Sequence, residues 1–366
     1  MSKQPKVAIV HDWLYGGGAE LVVEQLHLMY PNAPIYTSYC SDEWRQRLDN
    51  KVVTGFLQKW PFNKLRKFVP FLRIWWFTRL DLTEYDVVIS SSGAEAKGIK
   101  VPKSTLHINY CHAPTHYYWS RYEEYMQHPG MGKFDWLARI GLKLLIMPLK
   151  RWDYKAAQRP DVMIANSTHI QQEIQKYYKR TAQVVFPPVY FERFQKIKKA
   201  TKTDAFIIAG RQTPYKRFDL AVQACSQANI PLRVIGDGPD NARLRSLAGS
   251  SVTFLGKISD TELEKEFTNA KALIFPGLDD FGITPVEALA AGTPVLAYKG
   301  GGALDYIIPA KTGDFFSEQS VESLVSSIQS FSSDDYPTAG LKTTAQSFSR
   351  QEFSKHMTKI ITHYYK

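Results

Sequence analysis

The sequence is poor in cysteine and has no long hydrophobic run. Its three cysteines, Cys40, Cys111 and Cys225, stand far apart and form no C-x-x-C pair, which argues against a disulfide framework and a zinc site. No stretch reaches the roughly 18 consecutive apolar residues of a membrane-spanning helix. The N-terminal residues enter an apolar strand pattern at once, so we expect no signal peptide and a cytoplasmic location.

Acidic residues are also scarce in the first half. The 366 residues include 46 Lys and Arg against 35 Asp and Glu, a net charge of +11. Residues 1–190 hold 25 basic and 16 acidic side chains, and therefore nearly all of this excess. Such an uneven charge indicates an anionic surface or substrate at the first half. The length and the 44% hydrophobic content are typical of a folded protein with two domains.

The most informative stretch runs from Ala272 to Tyr306 and reads as strand, acidic loop, helix, strand and glycine turn. Ala272 to Phe275 has the apolar pattern of a buried parallel strand. Thr284 as N-cap and Pro285 at the first helical position predict the start of a helix, and Gly292 predicts its end. The loop between them follows the carboxyl end of a strand, where open α/β sheets place their ligands.

Two carboxylates flank this loop, Asp279 and Glu287. Thr284-x-x-Glu287 alone fits a capping box, in which the carboxylate only satisfies backbone N–H groups. The surrounding string DFGITPVEALAAGTPV, however, resembles the nucleotide-sugar signature of family-four retaining glycosyltransferases, with Asp279 where that family has the first Glu of Glu-x7-Glu. The resemblance implies that Glu287 binds the donor ribose and that Asp279, shared with Asp280, holds sugar hydroxyls. It implies further donor contacts at Phe281, Gly282 and Ile283.

A glycine-rich loop follows the first predicted strand, Lys6 to His11. Gly16, Gly17 and Gly18 precede a helical pattern, and a helix N-terminus after a strand is suited to bind an anion. A flexible turn is the simpler interpretation of three glycines. The family has a glycine-rich loop here, and the resemblance implies that Gly17 and Gly18 face the donor phosphate and the transferred sugar.

One histidine stands at a strand end, where sites are built. His112 follows the strand pattern Leu106 to Cys111 and precedes Pro114 in the string CHAPTHYYW. Family members have a similar string, and the resemblance implies that His112 lies against the donor sugar. Trp119 and Arg121 are candidates for the acceptor pocket.

Two cations follow the first strand pattern of the second half, Ala205 to Gly210. Arg211 and Lys216 bracket a turn at the start of a predicted helix, which suits a diphosphate. Solvated surface charge is the common alternative. Gly-Arg-x4-Lys is also the diphosphate-binding pattern of the family. The resemblance further implies donor contacts at Gly236, Lys257 and Ile258.

Two segments of the first half combine cations with aromatic residues. Lys51 to Leu80 holds seven basic residues, no acidic residue and eight aromatics, and Lys133 to Arg159 repeats the theme. This chemistry suits an anionic membrane surface. Single-stranded nucleic acid and a helix pair with buried aromatics are the alternatives. Two such segments in one half favour the membrane, and we expect no nucleic-acid partner.

Strand and helix patterns alternate throughout, which predicts an α/β protein with parallel sheets. The resemblance implies the GT-B architecture, in which two Rossmann-like domains face a central cleft. We expect an acceptor- and membrane-facing domain over residues 1–195 and a nucleotide-sugar-binding domain over residues 200–348. A C-terminal helix over residues 349–366 is expected to cross back to the first domain.

Within the family, the strings HDW…GGGAE, YCHAP and DFGITPVEALAAGTPV most resemble GDP-mannose-dependent mannosyltransferases of bacterial surface-polysaccharide assembly. The resemblance implies transfer of a hexose, mannose from GDP-mannose, with retained anomeric configuration and without a protein nucleophile. It implies a lipid-linked or glycan acceptor and an enzyme peripheral to the inner face of the cell membrane. No Asp-x-Asp string is present to hold a metal, and we expect no metal or other cofactor.

Two alternatives stay open. The chain could process sugar nucleotides without transfer, as an epimerase does, and would then turn over the donor with no acceptor present. It could also be a non-catalytic membrane- or nucleic-acid-binding protein on the same scaffold. The intact pair of Arg211 and Lys216 argues against this second alternative, whereas Asp279 in place of Glu argues for it.

Overall fold

The computed structural model describes residues 5–65, 70–127, 132, 135–196 and 202–365. The chain divides into two compact units, one of Met1–Phe186 with Ser354–Lys366 and one of Pro187–Phe353. Parts of two predicted segments and of the junction between the two predicted domains lie outside the described residues. These are residues 66–69 of the first basic aromatic segment, residues 133–134 of the second, and residues 197–201 at the junction.

The first unit is built on a parallel sheet. Its strands are β1 (Val7–His11), β2 (Ile35–Thr37), β3 (Val52–Thr54), β4 (Val87–Ser92), β5 (Leu106–Cys111), β6 (Val162–Ala165) and β7 (Gln183–Val184). Within the described residues these seven strands take the order β3-β2-β1-β4-β5-β6-β7. The helices are α1 (Gly18–Met29), α2 (Asp42–Arg47), α3 (Phe62–Leu65), α4 (Pro70–Phe77), α5 (Tyr122–Gln127), α6 (Asp135–Ala157) and α7 (Thr168–Tyr178).

The second unit is built on another parallel sheet. Its strands are β8 (Phe206–Ala209), β9 (Leu232–Ile235), β10 (Val252–Gly256), β11 (Leu273–Phe275), β12 (Val295–Tyr298) and β13 (Gly313–Phe316). In the described part of the chain these six strands take the order β10-β9-β8-β11-β12-β13. The helices are α8 (Phe218–Gln227), α9 (Asn241–Ser246), α10 (Asp260–Asn269), α11 (Ile283–Ala291), α12 (Val321–Ser330) and α13 (Thr338–Gln346). The helix α14 (Arg350–Tyr364) begins in this unit and continues in the first from Ser354.

The predicted α/β class with two parallel-sheet domains is confirmed, and from Ser354 onward α14 belongs to the first unit, as predicted. Two details were wrong. Helix α11 begins at Ile283 with Gly282 as its N-cap, so Thr284 does not cap it. The boundary expected after residue 195 lies earlier, because the 3₁₀ turn Phe191–Lys196 packs on α10 and α11 of the second unit.

The basic aromatic segment Lys51 to Leu80 does not present one uniform surface. Trp76 and Phe77 of α4 are buried in the core beside β1 and β4, and Arg73 is only 1% exposed. Trp60, in contrast, is 79% exposed, and Trp75 is also exposed. The segment therefore supplies both core and surface, because a helix beside a sheet must bury one of its faces.

Two buried ion pairs fix α4 and α6 to the same 3₁₀ turn, Glu95–Gly98. The carboxylate of Glu95 accepts two hydrogen bonds from Arg73 of α4, at 2.8 and 2.7 Å. The ammonium of Lys97 lies 2.6 Å from the carboxylate of Asp153 on α6, and both side chains are fully buried. A buried charge that loses its partner is strongly destabilising, so these pairs fix how both helices pack.

We expect Lys97→Met to lower the free energy of unfolding by about 3–5 kcal/mol, because Asp153 would stay buried without its cation. Urea unfolding followed by circular dichroism measures the loss. Lys6→Met is the control, since Lys6 pairs with Glu84 at the exposed surface, where ion pairs contribute little. A loss no larger than that of Lys6→Met would contradict the structural role of the Lys97–Asp153 pair.

The loops that follow β8, β9 and β10 approach one another closely at Gly236. Its N–H donates to the carbonyl of Gly256 at 2.7 Å. A Cβ atom at Gly236 would lie 2.1 Å from the carbonyl oxygen of Gly210, and the φ angle of +104° is one that residues with side chains rarely adopt. The glycine is therefore required by the backbone itself, whatever its role toward a ligand.

Gly236→Ala is expected to destabilise the protein by at least ~2 kcal/mol, because it combines backbone strain with a clash against a carbonyl. Gly340→Ala is the matched control. Gly340 lies in helix α13, where an added Cβ atom would meet no neighbouring atom within 4 Å, so alanine should stabilise that helix by up to about 1 kcal/mol. Thermal unfolding compares the two variants, and equal melting temperatures would contradict the close approach.

Candidate functional site

The order in which the chain adds strands to the second sheet reverses between β8 and β11. From β8 the chain moves outward to β9 and β10, and it then returns to place β11 on the other side of β8. The loops that follow β8 and β11 therefore diverge at the carboxyl edge of the sheet. Such a switch point forms the crevice where open α/β sheets bind ligands, and both loops contain predicted donor-binding residues.

A cation and a carboxylate meet at this edge. The ammonium of Lys216, in the 3₁₀ turn Pro214–Lys216, lies 3.1 Å from Oδ2 of Asp279, and their side chains are 18% and 13% exposed. The second carboxylate oxygen, Oδ1, is buried and accepts no hydrogen bond from the described residues. A buried carboxylate oxygen without a donor is costly, and it marks a position where a ligand hydroxyl would be stabilised.

The other cations of this loop have different surroundings. Arg211 is exposed on the loop directly after β8. Arg217, adjacent to Lys216, is bound by Asp219, with its Nε 3.1 Å from Oδ1. The structure thus joins Lys216 with Asp279, leaves Arg211 at the surface of the same loop, and pairs Arg217 with a carboxylate of α8.

The glycine turn that follows β12, residues 300–302, packs against the loop that contains Asp279 and fixes its backbone. The N–H of Gly302 donates to the carbonyl of Asp279 at 2.9 Å, and a Cβ atom at Gly302 would lie 2.3 Å from Cα of Phe281. The hydroxyl of Tyr306 donates to the carbonyl of Phe281 at 2.7 Å. The loop backbone is therefore fixed by the Tyr306 hydrogen bond and by a close approach that only a glycine at position 302 permits.

The residues that follow Asp279 in this loop differ in how far their side chains are exposed. The ring of Phe281 is 3% exposed and packs against Tyr306 and Phe348, so the predicted donor contact at this position would have to come from the backbone. The ring anchors the loop instead. Asp280, Gly282 and Ile283 are half-buried, and the latter two form the start of α11.

Glu287 does not form the capping box suggested by the sequence. Its Oε1 lies 3.1 Å from Nη2 of Arg193, and the Glu287 side chain is 15% exposed. Burial raises the pKa of Glu287 to about 7 and Asp260 raises it as well, against the opposing effect of the Arg193 guanidinium. No sequence pattern pointed to Arg193, which lies far from every recognised motif.

The remaining predicted residues of this unit lie at neighbouring strand ends. Gly236 follows β9, and Lys257 and Ile258 follow β10, with Lys257 exposed and Ile258 half-buried. Gln212, which sequence reasoning missed, is fully buried and donates to the carbonyl of Gly236 at 2.9 Å. It connects the loops that follow β8 and β9. In the sequence, only its position beside Arg211 could have indicated this role.

In the first unit, His112 lies at the carboxyl edge of the sheet as predicted. Its Nε2 is 2.7 Å from the hydroxyl of Ser91, and Asn166 donates to its backbone carbonyl at 2.9 Å. His11 approaches it edge-on, with ring centroids 6.1 Å apart. His112 is thus oriented by three strand ends, those of β1, β4 and β6.

The glycine loop after β1 has a carboxylate of its own. Gly17 and Gly18 are exposed, and α1 begins at Gly18. The side chain of Glu20 turns back and accepts from the N–H of Gly16 at 2.9 Å. The carboxylate of Glu20 therefore partly neutralises the positive end of the α1 dipole. The prediction from the sequence, a helix N-terminus open to anions, did not include this contact.

Asp12 was also missed, although an aspartate directly after a buried strand is a recognisable signal. Its buried carboxylate accepts from the N–H groups of Gly93 and Ala94 at 2.9 Å and of Ala96 at 2.8 Å. It bridges the switch point between β1 and β4 of the first sheet. Asp12 therefore fixes the turn that carries both buried ion pairs.

Among the described residues, no group of three or more His, Cys, Asp or Glu side chains is arranged to hold a metal ion. None of the helices in the described ranges combines the length and the apolar character that crossing a bilayer requires.

Known proteins resemble this chain in sequence and in fold. A GDP-mannose-dependent alpha-mannosyltransferase of Mycolicibacterium smegmatis is 30% identical over 105 residues, which is 28% of this chain and only 28% of the relative. Alpha-1,3/1,6-mannosyltransferase ALG2 of Dictyostelium discoideum is 24% identical over 379 residues, covering 85% of this chain and 86% of the relative.

The solved structure of Anabaena Alr3699/HepE in complex with UDP shares the fold. It superimposes with a TM-score of 0.70 at 15% identity and covers 98% of this chain and 100% of its own. The family described as glycosyl transferases group 1 matches residues 189–348, the part that contains Lys216, Asp279 and Glu287. The predicted relationship to glycosyltransferases is confirmed: this chain carries a glycosyl transferases group 1 domain over residues 189–348.

Proposed function

We propose that the chain is a retaining glycosyltransferase that moves mannose from GDP-mannose to a lipid-linked or glycan acceptor. The observation that carries this proposal is the buried Oδ1 of Asp279, which accepts no hydrogen bond from the described residues and lies beside Lys216 at a sheet switch point. A sugar hydroxyl would satisfy that oxygen. The M. smegmatis and D. discoideum relatives are both mannosyltransferases, which supports mannose as the sugar.

In the proposed reaction, Arg211 and Lys216 neutralise the donor diphosphate. Charge that develops on the leaving group is then stabilised where it appears, which is the main contribution of such preorganised groups. Asp279 keeps Lys216 in place and accepts a sugar hydroxyl, Glu287 accepts ribose hydroxyls, and His112 contacts the sugar. Two cations at this edge of the sheet can supply the positive charge, so we propose that transfer requires no metal.

Nucleotide binding tests the donor site. In EDTA, GDP or GDP-mannose at ~100 times its dissociation constant should stabilise the protein by roughly 2.7 kcal/mol, seen as a rise in melting temperature. UDP and ADP should have little effect. Arg211→Ala should weaken GDP binding at least about tenfold, because a charge-assisted hydrogen bond contributes roughly 1.5–3 kcal/mol.

Arg217→Ala is the matched control, since Arg217 is already occupied by Asp219 and its loss should leave GDP binding nearly unchanged. Equal weakening by both variants would point to general charge rather than to a diphosphate contact. A response to UDP alone would remove GDP-mannose as the donor. No response to any of these nucleotides would contradict a functional donor site.

We also propose that the first unit docks on the inner membrane face, where a lipid-linked acceptor lies. Helix α6 buries Ile146 and Leu149 but leaves a row of apolar side chains exposed. The row consists of Trp136, Leu137, Ile140, Leu144 and Met147, and Leu144 is 73% exposed. Exposed Lys143 and Arg151 lie on the same helix. Apolar residues flanked by cations suit the headgroup region of an anionic membrane.

Vesicle flotation tests this docking surface. The protein should bind phosphatidylglycerol-containing vesicles and bind neutral phosphatidylcholine vesicles weakly. Trp136→Ser combined with Leu144→Ser should reduce anionic-vesicle binding at least about tenfold, since each inserted large apolar side chain contributes roughly 1.5–3 kcal/mol.

Leu28→Ser is the control, because Leu28 is an exposed apolar residue of α1 in the same unit. It should leave vesicle binding unchanged. Equal loss in the control would argue against a surface specific to α6. Strong, salt-sensitive binding to an oligonucleotide without vesicle binding would instead favour a nucleic-acid partner.

A further inference from the structure

Arg193 is the least expected charged residue of the second unit. It lies in the 3₁₀ turn Phe191–Lys196, at the start of the unit and outside every motif recognised in the sequence. Its guanidinium stands 4.6 Å from the ring centre of Phe194, and Phe194 stacks on Phe267 of α10 at 6.2 Å. The arginine is therefore held by its own turn rather than free to move with solvent.

The partner of Arg193 is Glu287. Nη2 of Arg193 lies 3.1 Å from Oε1 of Glu287, with side-chain exposures of 24% and 15%. Nε and Nη2 are both buried and form no well-directed hydrogen bond with the described residues. The contact is therefore mainly electrostatic, and it leaves Oε2 of Glu287 for another donor group.

The surroundings of Glu287 make this contact important for ionisation near neutral pH. Of the groups on the elements that pack against α11, Arg193 favours the charged carboxylate and Asp260 of α10 opposes it. Lys342 of α13 lies at the other end of α11, beside Gly292. Strands β11 and β12 contribute apolar, buried residues, apart from half-buried Tyr298. In the described structure Arg193 is the one cation within ion-pair distance of Glu287.

We propose that Arg193 is a positioning residue of the donor site, which keeps Glu287 ionised and oriented so that its free oxygen accepts ribose hydroxyls. This inference rests on the proposed donor-binding function. An ionised carboxylate accepts with both oxygens, whereas the protonated acid turns one of them into a donor. Arg193 would thereby make nucleotide binding effective at neutral pH without itself contacting the nucleotide.

The sign of the pH dependence follows from the carboxyl group. The pKa of Glu287 is raised to about 7, so this side chain is protonated below that pH and ionised above it. Nucleotide affinity should therefore fall as the pH drops through about 7. Removing Arg193 removes a nearby opposite charge and should move this midpoint upward by roughly 1–3 pH units.

Two measurements on the full chain test the proposal. With ¹³Cδ-labelled glutamate, NMR follows the Glu287 carboxyl directly, its signal assigned by its loss in Glu287→Gln. Calorimetric titration with GDP, and with UDP in parallel, follows nucleotide affinity between roughly pH 6 and pH 9. Arg193→Met should raise both midpoints, and affinity should rise toward the highest pH. Arg193→Lys, which keeps a positive charge, should restore the midpoints close to their original positions.

Arg233→Met is the control, since Arg233 is also an arginine of this unit but pairs with Glu266. It should shift neither midpoint. If Arg193→Met weakened GDP and UDP equally at every pH with the NMR midpoint unmoved, Arg193 would be a structural or direct contact and the proposal would be overturned.

The outcomes also separate this inference from the proposed function. If Glu287→Gln left the affinity for both nucleotides unchanged, or if neither nucleotide bound, the ribose assignment would fail, and the positioning role would fail with it. If Glu287→Gln weakened binding but Arg193→Met did not shift the pH profile, the donor site would stand and only the role of Arg193 would be wrong.

Discussion

The constraint on which the rest depends is the reversal of strand order in each parallel sheet. Between β1 and β4, and again between β8 and β11, adjacent loops diverge at the carboxyl edge. Each gap is bridged by a carboxylate. Asp12 crosses the first by binding three backbone N–H groups, and Asp279 crosses the second by binding Lys216. The first bridge is fully satisfied and structural, whereas the second keeps one oxygen without a donor among the described residues.

The sequence was informative where structure is local. Buried parallel strands read as apolar runs, and glycines mark strand ends where backbones meet, so the two sheets and most loops could be predicted. Gly236 and Gly302 show why such glycines are reliable signals, since a Cβ atom at either would strike a neighbouring backbone. Thr284 shows the limit of local patterns. It has the sequence of an N-cap, yet the helix begins two residues earlier than predicted because Gly282, with a φ of +83°, allows the turn.

Contacts between distant residues could not be predicted. The pairs Arg193–Glu287 and Lys97–Asp153 join side chains that no short motif contains. The composition of the basic aromatic segment Lys51 to Leu80 was insufficient for the same reason, since it cannot show that Arg73 faces Glu95 inside the protein while Trp75 faces outward. Burial decides the role of a charged residue, and burial depends on the tertiary fold.

The geometry of this loop is compatible with an aspartate at position 279, where the family pattern has glutamate. Its carboxylate is one methylene closer to the backbone, and the backbone is held by Gly302 and Tyr306 behind the loop. A short side chain on a fixed loop has few rotamers, so the oxygen that binds Lys216 also fixes the direction of the other. An ammonium group carries three N–H donors, so Lys216 can bind Asp279 and a phosphate oxygen at the same time. In the proposed reaction the pair therefore need not separate when the donor binds. The same contact would orient the cation toward the diphosphate and Oδ1 toward the sugar, which makes aspartate at this position compatible with an active enzyme.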